Sequence, residues 1–311
     1  MGNSINTNIA AMTALQSLNA TNKQLLTTQN RVSTGFRVAD ASDNAAYWSI
    51  ATTMRGDRSS ISTVADALGL GSATAEIAAK GIETAIKIAG EIKDKLMVAR
   101  TPGVDRTKIQ KEISELQDSL KAVVEGATFN GQNWLESSSD DPADENRTIV
   151  SSFSRASDGS ISIGTITVDL EAMRLVDTGT GASAGGILDS DIALATGTGT
   201  VTVLDLDISE LEDNEDDLAD LVAMIEGVDA AIEKMTEAAS SLGAVKTRID
   251  IQKDFAQALM DAIDTGVGQL VDADMNAEST RLQALQVRQQ LGISALGIAN
   301  QSAQMIMRLF Q

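Results

Sequence analysis

Apolar residues near the N-terminus recur alternately four and three positions apart, which is the spacing of a coiled-coil contact. The recurring positions are Ala11, Leu15, Leu18, Asn22, Leu25, Gln29, Val32 and Phe36. Ile5, Ile9 and Met12 form a second apolar line beside them. The spacing predicts a helix over residues 4–34, roughly 45 Å long at the helical rise per residue.

Four further segments keep this alternation, at residues 61–99, 109–123, 221–263 and 282–310. Thr101-Pro102-Gly103 is expected to end the first of them, because proline and glycine interrupt helices. That segment has small residues at many apolar positions, including Gly71, so we expect close approach of helix backbones. A three-residue slip at Leu242 predicts local overwinding of the coil.

Residues 137–214 follow a different pattern, with short β-branched runs between polar and glycine-rich stretches. The runs are Thr148–Val150, Ile161–Ile163, Thr165–Val168 and Thr200–Val203. Asp158-Gly159 predicts a hairpin turn. The predicted fold is therefore mainly α: the N- and C-terminal regions form a long coiled-coil-like helical hairpin or bundle, and a small β-rich central insertion caps its far end.

Composition excludes several classes of function. The chain has no His and no Cys, which argues against imidazole or thiol catalysis and the usual transition-metal sites. Its formal charge of −20 argues against binding to nucleic acid or anionic lipid. We expect no catalytic residues, no cofactor, no metal and no membrane partner. Without a signal peptide or an 18-residue apolar stretch, the chain is expected in the cytosol unless another export route applies.

Both ends of the chain lack charge. No Asp, Glu, Lys or Arg occurs in residues 1–22 or 289–307. Ordinary surface helices carry charge on their polar faces, so these faces are expected to contact protein, and neighbouring copies would supply the extra partners. The predicted polymerisation interface comprises Ile5, Ile9, Met12, Leu15, Leu18, Leu25, Val32, Leu285, Leu296, Ile298, Met305, Ile306, Leu309 and Phe310. In a lone subunit these ends are expected to be frayed, whereas periodicity alone also fits a coiled-coil pair within one monomer.

Seven short motifs occur in order along the chain, at residues 4–11 (SINTNIAA), 31–38 (RVSTGFRV), 41–50 (ASDNAAYWSI), 129–131 (FNG), 266–274 (GVGQLVDAD), 289–301 and 309–311. Together they resemble motifs of the bacterial flagellins. Tyr47-Trp48 is similar to the alphaproteobacterial, rhizobial-like type. The match covers residues 1–136 and 220–311.

The resemblance implies a structural subunit of the extracellular flagellar filament. Residues 1–40 with 272–311 would form the inner tube, residues 41–136 with 215–271 a surrounding helical layer, and residues 137–214 the variable outer domain. The implied partners are other copies, paralogous flagellins, the flagellar export apparatus, a chaperone, and cap and junction proteins. Type III export would also explain the missing signal peptide.

Other hypotheses remain open from the sequence. A hook–filament junction protein shares the terminal design, an enzyme could use Ser, Lys and Asp, and a coiled-coil adhesin would stay a small oligomer. The acidic run at 205–217 is interpreted as the approach to a helix N-terminus, because Glu210 occupies the glycine position of a calcium loop. The glycine-rich residues 179–185 are interpreted as a surface turn. Trp48 and Trp134 are predicted core or interface anchors, and Asn22 and Gln289 are predicted to set helix register.

Overall fold

The computed structural model describes residues 8–140, 145–179, 185–196 and 199–309, without the side chains of residues 302–309. Five α-helices account for most of this part of the chain and confirm the mainly α prediction. They are α1 (Ile9–Thr34), α2 (Ala45–Ala99), α3 (Arg106–Gly126), α4 (Glu215–Val271) and α5 (Met275–Leu309).

The helix ends follow from local side-chain chemistry. The Asn8 side chain accepts the Ala11 N–H at 3.1 Å and caps the start of α1. Gly35 ends the helix with a φ of 77°, a left-handed conformation that glycine adopts without a Cβ penalty, and its N–H donates to the Arg31 carbonyl. The predicted end of α1 is therefore confirmed.

The acidic run at 205–217 leads into the N-terminus of α4. The Asn214 side chain accepts the Asp217 N–H at 2.7 Å, and Glu215, Asp216 and Asp217 occupy the first turn. Negative side chains are favourable there because the first N–H groups carry partial positive charge. The interpretation of this run as a helix approach is confirmed.

The central region contains short strands, as predicted, arranged among the described residues as four two-stranded sheets. The strands are β1 (Thr128–Phe129), β2 (Gln132–Asn133), β3 (Glu136–Ser137), β4 (Asn146–Arg155), β5 (Ile161–Asp169), β6 (Val176–Asp177), β7 (Ile192–Ala193) and β8 (Thr200–Val201). A short 3-10 helix covers Glu171–Met173. Strands β4 and β5 form an antiparallel hairpin with a register shift between Val150 and Ser152.

The hairpin turn lies at Asp158-Gly159, where Gly159 has a φ of 86°. The separate runs predicted at 161–163 and 165–168 are wrong, because Gly164 continues the ladder opposite Ser152 and one strand results. The run predicted at 200–203 is strand only over residues 200–201. Val203 instead is completely buried.

The chain divides into two compact units. Unit 1 comprises residues 1–58 and 261–311, and unit 2 comprises residues 59–260. The three-part division inferred from the family resemblance describes the filament, so it stays a prediction. No helix in the described part of the chain has both the length and the apolar character needed to cross a membrane.

The core of unit 2 joins its helices to the central insertion. Ile149, Ile166 and Leu188 from the insertion lie in one cluster with Leu68 and Ile113 from the helices. Trp134 is 2% exposed in this cluster and is a core anchor, as predicted. The insertion is therefore packed into the bundle and is more than a cap on its surface.

Three helix glycines leave space for side chains from outside the helices, two from the insertion and Leu135 just before it. A Cβ at Gly71 would lie 2.7 Å from Ile149, one at Gly81 would lie 2.6 Å from Leu135, and one at Gly227 would lie 2.6 Å from Ile192. The prediction that small residues such as Gly71 bring helix backbones together is wrong at this position, because an insertion side chain occupies the space.

Candidate assembly surface

Helices α1 and α5 pair antiparallel in unit 1, and polar contacts fix their register. The Asn8 side chain donates to the Ala299 carbonyl at 2.9 Å. The Gln289 amide donates to Asn22 Oδ1 at 2.8 Å, so the two residues predicted to set register contact each other. A further contact joins Arg31 Nη1 to Glu278 Oε1 at 3.1 Å.

The inner line of this pair is apolar. Leu25, Thr28 and Leu285 are buried at the contact, and the half-buried side chains there are Ala11, Ala14, Leu18, Val32, Leu282, Leu296 and Ala299. A Cβ at Gly292 would approach Leu18 Cδ1 to 3.2 Å, so the helices meet closely at that level. Leu18, Leu25, Val32, Leu285 and Leu296 of the predicted interface thus lie at, or on the edge of, a contact within one chain.

Two of the α1 positions predicted to lie in the coiled-coil contact are wrong. Leu15 and Gln29 are exposed, whereas Ala14 and Thr28 are covered. A straight α-helix has 3.6 residues per turn, so a strict seven-residue repeat drifts by about 20° per heptad around its surface. The contact line therefore moves off the positions that the heptad pattern selects.

The outer faces of the two helices carry large apolar side chains in contact with solvent. The exposed fractions on α1 are 70% for Ile9, 63% for Met12, 49% for Leu15 and 60% for Leu26. On α5 the exposed large apolar residues are Met275, at its first position, and Val287, Leu291, Ile293 and Ile298. Sequence reasoning listed Ile9, Met12, Leu15 and Ile298 as interface residues but not the other five, although Val287 and Leu291 have the four-residue spacing of a second apolar line.

The remaining predicted interface residues lie near the two ends. Ile5 and Phe310 are outside the described residues. Met305, Ile306 and Leu309 belong to α5, but their side chains are outside the described part.

The chain between α1 and α2 is fixed against the end of α4 in unit 1. The backbone N–H groups of Arg37 and Val38 both donate to the Val271 carbonyl, and the Ala273 N–H donates to the Gly35 carbonyl at 2.8 Å. Val38 and Val271 pack with Ala51 and Val267 in a small core. Trp48 is 37% exposed on α2, so it is not buried as a core anchor within the subunit.

A buried ionic cluster in the insertion is centred on Asp177. Asp177 accepts hydrogen bonds from the N–H groups of Ser139, Gly179 and Gly185 and pairs with the buried Arg174 at 3.2 Å. Burial alone would raise the pKa of Asp177, but these backbone hydrogen bonds outweigh it and hold the pKa well below its usual range. The arrangement joins Gly179 and Gly185 to one carboxylate; residues 180–184 of the predicted surface turn lie outside the described part.

Asp189 has the opposite electrostatic balance. Burial raises the pKa of its carboxyl group, although the Asp177 N–H donates to it at 2.8 Å. Among the described residues, no group of three or more Asp, Glu, His or Cys side chains has the arrangement of a metal site.

Family models match the two helical ends of the chain. The bacterial flagellin N-terminal helical region matches residues 5–140, and the bacterial flagellin C-terminal helical region matches residues 225–310. Flagellin C of Rhizobium meliloti strain 1021 is 47% identical over 99% of both chains. The flagellin of Brucella melitensis biotype 1 is 39% identical, again over 99% of both.

A crystal structure of Bacillus cereus flagellin is similar over 63% of this chain and 88% of its own, with a TM-score of 0.36 and 18% identity. That likeness is weak. The two family models and the full-length relatives show the family, and the rhizobial-type motif at Tyr47-Trp48 agrees with them. The chain belongs to the bacterial flagellin family.

Proposed function

We propose that this chain is the structural subunit of a flagellar filament and that the apolar outer faces of α1 and α5 join neighbouring copies. The observation that carries this proposal is the set of eight exposed apolar side chains that the two helices have besides Met275. They lie on or beside the two charge-free ends of the chain. A soluble monomer rarely leaves large apolar patches uncovered, and such patches mark interaction surfaces.

The energetics favour assembly through these faces. Burying a large aliphatic side chain that was fully exposed contributes about 1.5–3 kcal/mol. Association costs on the order of 4–15 kcal/mol in lost freedom, which several such side chains offset. The neighbouring Asn, Gln, Ser and Thr residues can pair across the contact without the desolvation cost of a buried charge.

The family relationship supports the finer parts of the proposal. In the filament, residues 1–40 and 272–311 form the inner tube, residues 41–136 and 215–271 the surrounding layer, and residues 137–214 the outer surface. The flagellar export apparatus and a chaperone deliver the subunit, cap and junction proteins contact the filament ends, and paralogous flagellins join the polymer. The product is the extracellular propeller of a swimming bacterium, a structural and not a catalytic role.

The relatives' names favour the filament over the hook–filament junction, since the full-length matches are called flagellins. Copy number separates the two roles. A filament subunit is the bulk protein of sheared filaments, whereas a junction protein would be a trace component.

The test removes the apolar character of one outer face. A triple variant with Val287→Gln, Leu291→Gln and Ile298→Gln keeps good helix formers at exposed positions, so the subunit should fold normally. We expect no filaments by electron microscopy and no pelletable polymer at concentrations where the unmodified chain assembles.

A matched control changes three exposed apolar residues elsewhere, with Val150→Thr, Ile161→Thr and Ile163→Thr on the β4–β5 hairpin. This control should polymerise normally. Filaments of normal length from the α5 variant, or equal loss in both variants, would contradict the proposed surface.

A further inference from the structure

A basic groove runs between α1 and α5 in unit 1. We define it by Lys23 and Arg31 on α1 and by Arg281 and Arg288 on α5, which line a cavity of about 790 Å³ together with threonine and alanine side chains. The groove is open to solvent. Four cations along one groove are unexpected in a chain with a formal charge of −20.

Within the subunit these cations are incompletely neutralised. Glu278 Oε1 accepts from Arg31 Nη1 at 3.1 Å and from Arg281 Nη1 at 3.3 Å, so one carboxylate serves two guanidinium groups. Lys23 and Arg288 make no ion pair with any described residue. Arg31 Nε is buried without a hydrogen-bond partner. The groove therefore keeps a net positive charge and unused donors.

The distribution of charge along the chain shows what could neutralise the groove. Unit 1 contains eight basic and eight acidic residues, whereas unit 2 contains 16 basic and 36 acidic residues and carries the whole net charge. Unit 1 is itself polarised. Helices α1 and α5 hold five basic residues and one acidic residue, while residues 35–58 and 261–274 hold three basic and seven acidic residues.

We propose that the basic groove of one copy binds carboxylates of a neighbouring copy, an inference that rests on the proposed filament function. Lys23 and Arg31 lie eight residues apart, about 12 Å along the helix. That length suits carboxylates spaced along a protein surface better than one small anion. A surface that is basic at one place and acidic at another makes a heterologous contact, which can repeat without closing and so builds a filament.

The first test removes the two unpaired charges with Lys23→Gln and Arg288→Gln. Both side chains are exposed, so the subunit should fold normally. We expect the critical concentration for polymerisation to rise about 3- to 30-fold at low salt, the range for two surface ion pairs. The difference should shrink as salt screens the contact.

A control with Lys234→Gln and Lys253→Gln makes the same change in net charge at exposed positions of unit 2. Its critical concentration for polymerisation should stay much closer to that of the unmodified chain. Equal critical concentrations for the groove variant and this control would overturn the proposal, because net charge alone would then account for any effect.

The second test identifies the bound carboxylates. Filaments grown from an equal mixture of ¹⁵N-labelled and unlabelled chains are treated with a carbodiimide, which joins a lysine amine to a carboxylate directly. We expect Lys23 to be linked to Asp or Glu of a differently labelled chain, and Arg288→Lys to add a second such link. Links confined to one chain, or none at Lys23, would overturn the proposal.

Failure of the groove proposal can be distinguished from failure of the proposed filament function. If the unmodified chain forms no filaments under any condition, the proposed function fails. If it forms filaments but the groove variant matches its control and Lys23 gives no link between chains, only the groove proposal fails.

Discussion

Units 1 and 2 distribute apolar residues and charge differently. Unit 2 buries a large apolar cluster shared by helices and insertion and carries the full charge of −20, although side chains such as Ile251 and Phe255 remain exposed. Unit 1 has a small core around Val38 and Val271, no net charge, and large apolar side chains in solvent on α1 and α5. Unit 2 thus has a large core of its own, whereas we expect neighbouring copies to cover the exposed apolar side chains of unit 1.

The largest expected effect comes from removing residues 1–22. The deletion removes the charge-free half of α1 and its contact with α5, so we expect complete loss of filaments by electron microscopy. Unfolding of unit 2, followed by the fluorescence of buried Trp134 in a Trp48→Phe background, should be unchanged. Normal filaments from the truncated chain would refute the assignment of assembly to unit 1.

Assembly is also expected to change the helix content of unit 1. Most helix stability in proteins comes from tertiary packing of an apolar face, and α1 and α5 leave apolar side chains uncovered in the lone subunit. We therefore predict that far-ultraviolet circular dichroism shows helix gained on polymerisation. Equal helicity before and after assembly would mean that α1 and α5 are fully formed in the free subunit.

A buried ionic group in unit 2 should matter for folding and not for assembly. Asp177→Asn leaves the Arg174 guanidinium buried without its anion, which we expect to cost about 3–5 kcal/mol of unfolding free energy at pH 7. The substitution preserves side-chain size but removes the charge and one acceptor oxygen, so at least one of the backbone hydrogen bonds to Asp177 is lost as well. Urea unfolding monitored by Trp134 provides the measurement.

The effect of Asp177→Asn should depend on pH in one direction. The folded-state pKa of Asp177 is lowered, so its carboxylate stabilises the fold above the unfolded-state pKa of about 3.9, and that contribution is lost as pH falls below it. The variant and the unmodified chain should therefore converge in acid. A constant difference down to pH 2 would contradict the ionic explanation.

Two glycine substitutions, one of them a control, test the packing of the insertion against the helices of unit 2. A Cβ at Gly227 would lie 2.6 Å from three carbons of Ile192, so Gly227→Ala should destabilise unit 2 by about 1–3 kcal/mol through overpacking. Gly90→Ala is the control, because that position has no neighbour within 4 Å. It should stabilise the helix by about 0.5–1 kcal/mol. Urea unfolding curves with effects of the same sign would contradict the packing described.

The smallest effect concerns the register of the α1–α5 pair. Asn22→Leu leaves the Gln289 amide without its partner, at a cost of about 1 kcal/mol. Adding Gln289→Leu should restore stability but lower specificity, since polar pairs in coiled coils fix register. Filaments of the double variant should be less regular by electron diffraction. Unchanged order would show that other contacts set the register.

The sequence predicted the helices well because their signals are local and repeated. Gly35 and Thr101-Pro102-Gly103 stop helices through backbone geometry, and the Asp158-Gly159 turn needs only its own residues. The merged strand at 161–169 was missed because Gly164 reads as a break, and only its pairing with Ser152 keeps it in the ladder. Gly71 was misinterpreted because its neighbour Ile149 is remote in sequence.

The candidate surface was predicted in part for the same reasons. The charge-free ends are a property of the sequence alone, and they identified both helices. Which side of each helix faces outward depends on the partner helix, so Leu25 and Leu285 proved to be buried within the chain while Leu291 and Val287 proved to be exposed. The basic groove was missed because its four cations come from both ends of the chain.

The helical class, most helix ends and the absence of charge at both termini follow from the sequence alone, because they depend on composition and local spacing, and the family followed from the short motifs that resemble those of flagellins. Three features needed the tertiary structure: how the insertion enters the core of unit 2, which apolar residues of unit 1 remain exposed, and that Lys23 and Arg288 line one groove. Those features depend on side chains that are distant in sequence and become neighbours only when the helices pack.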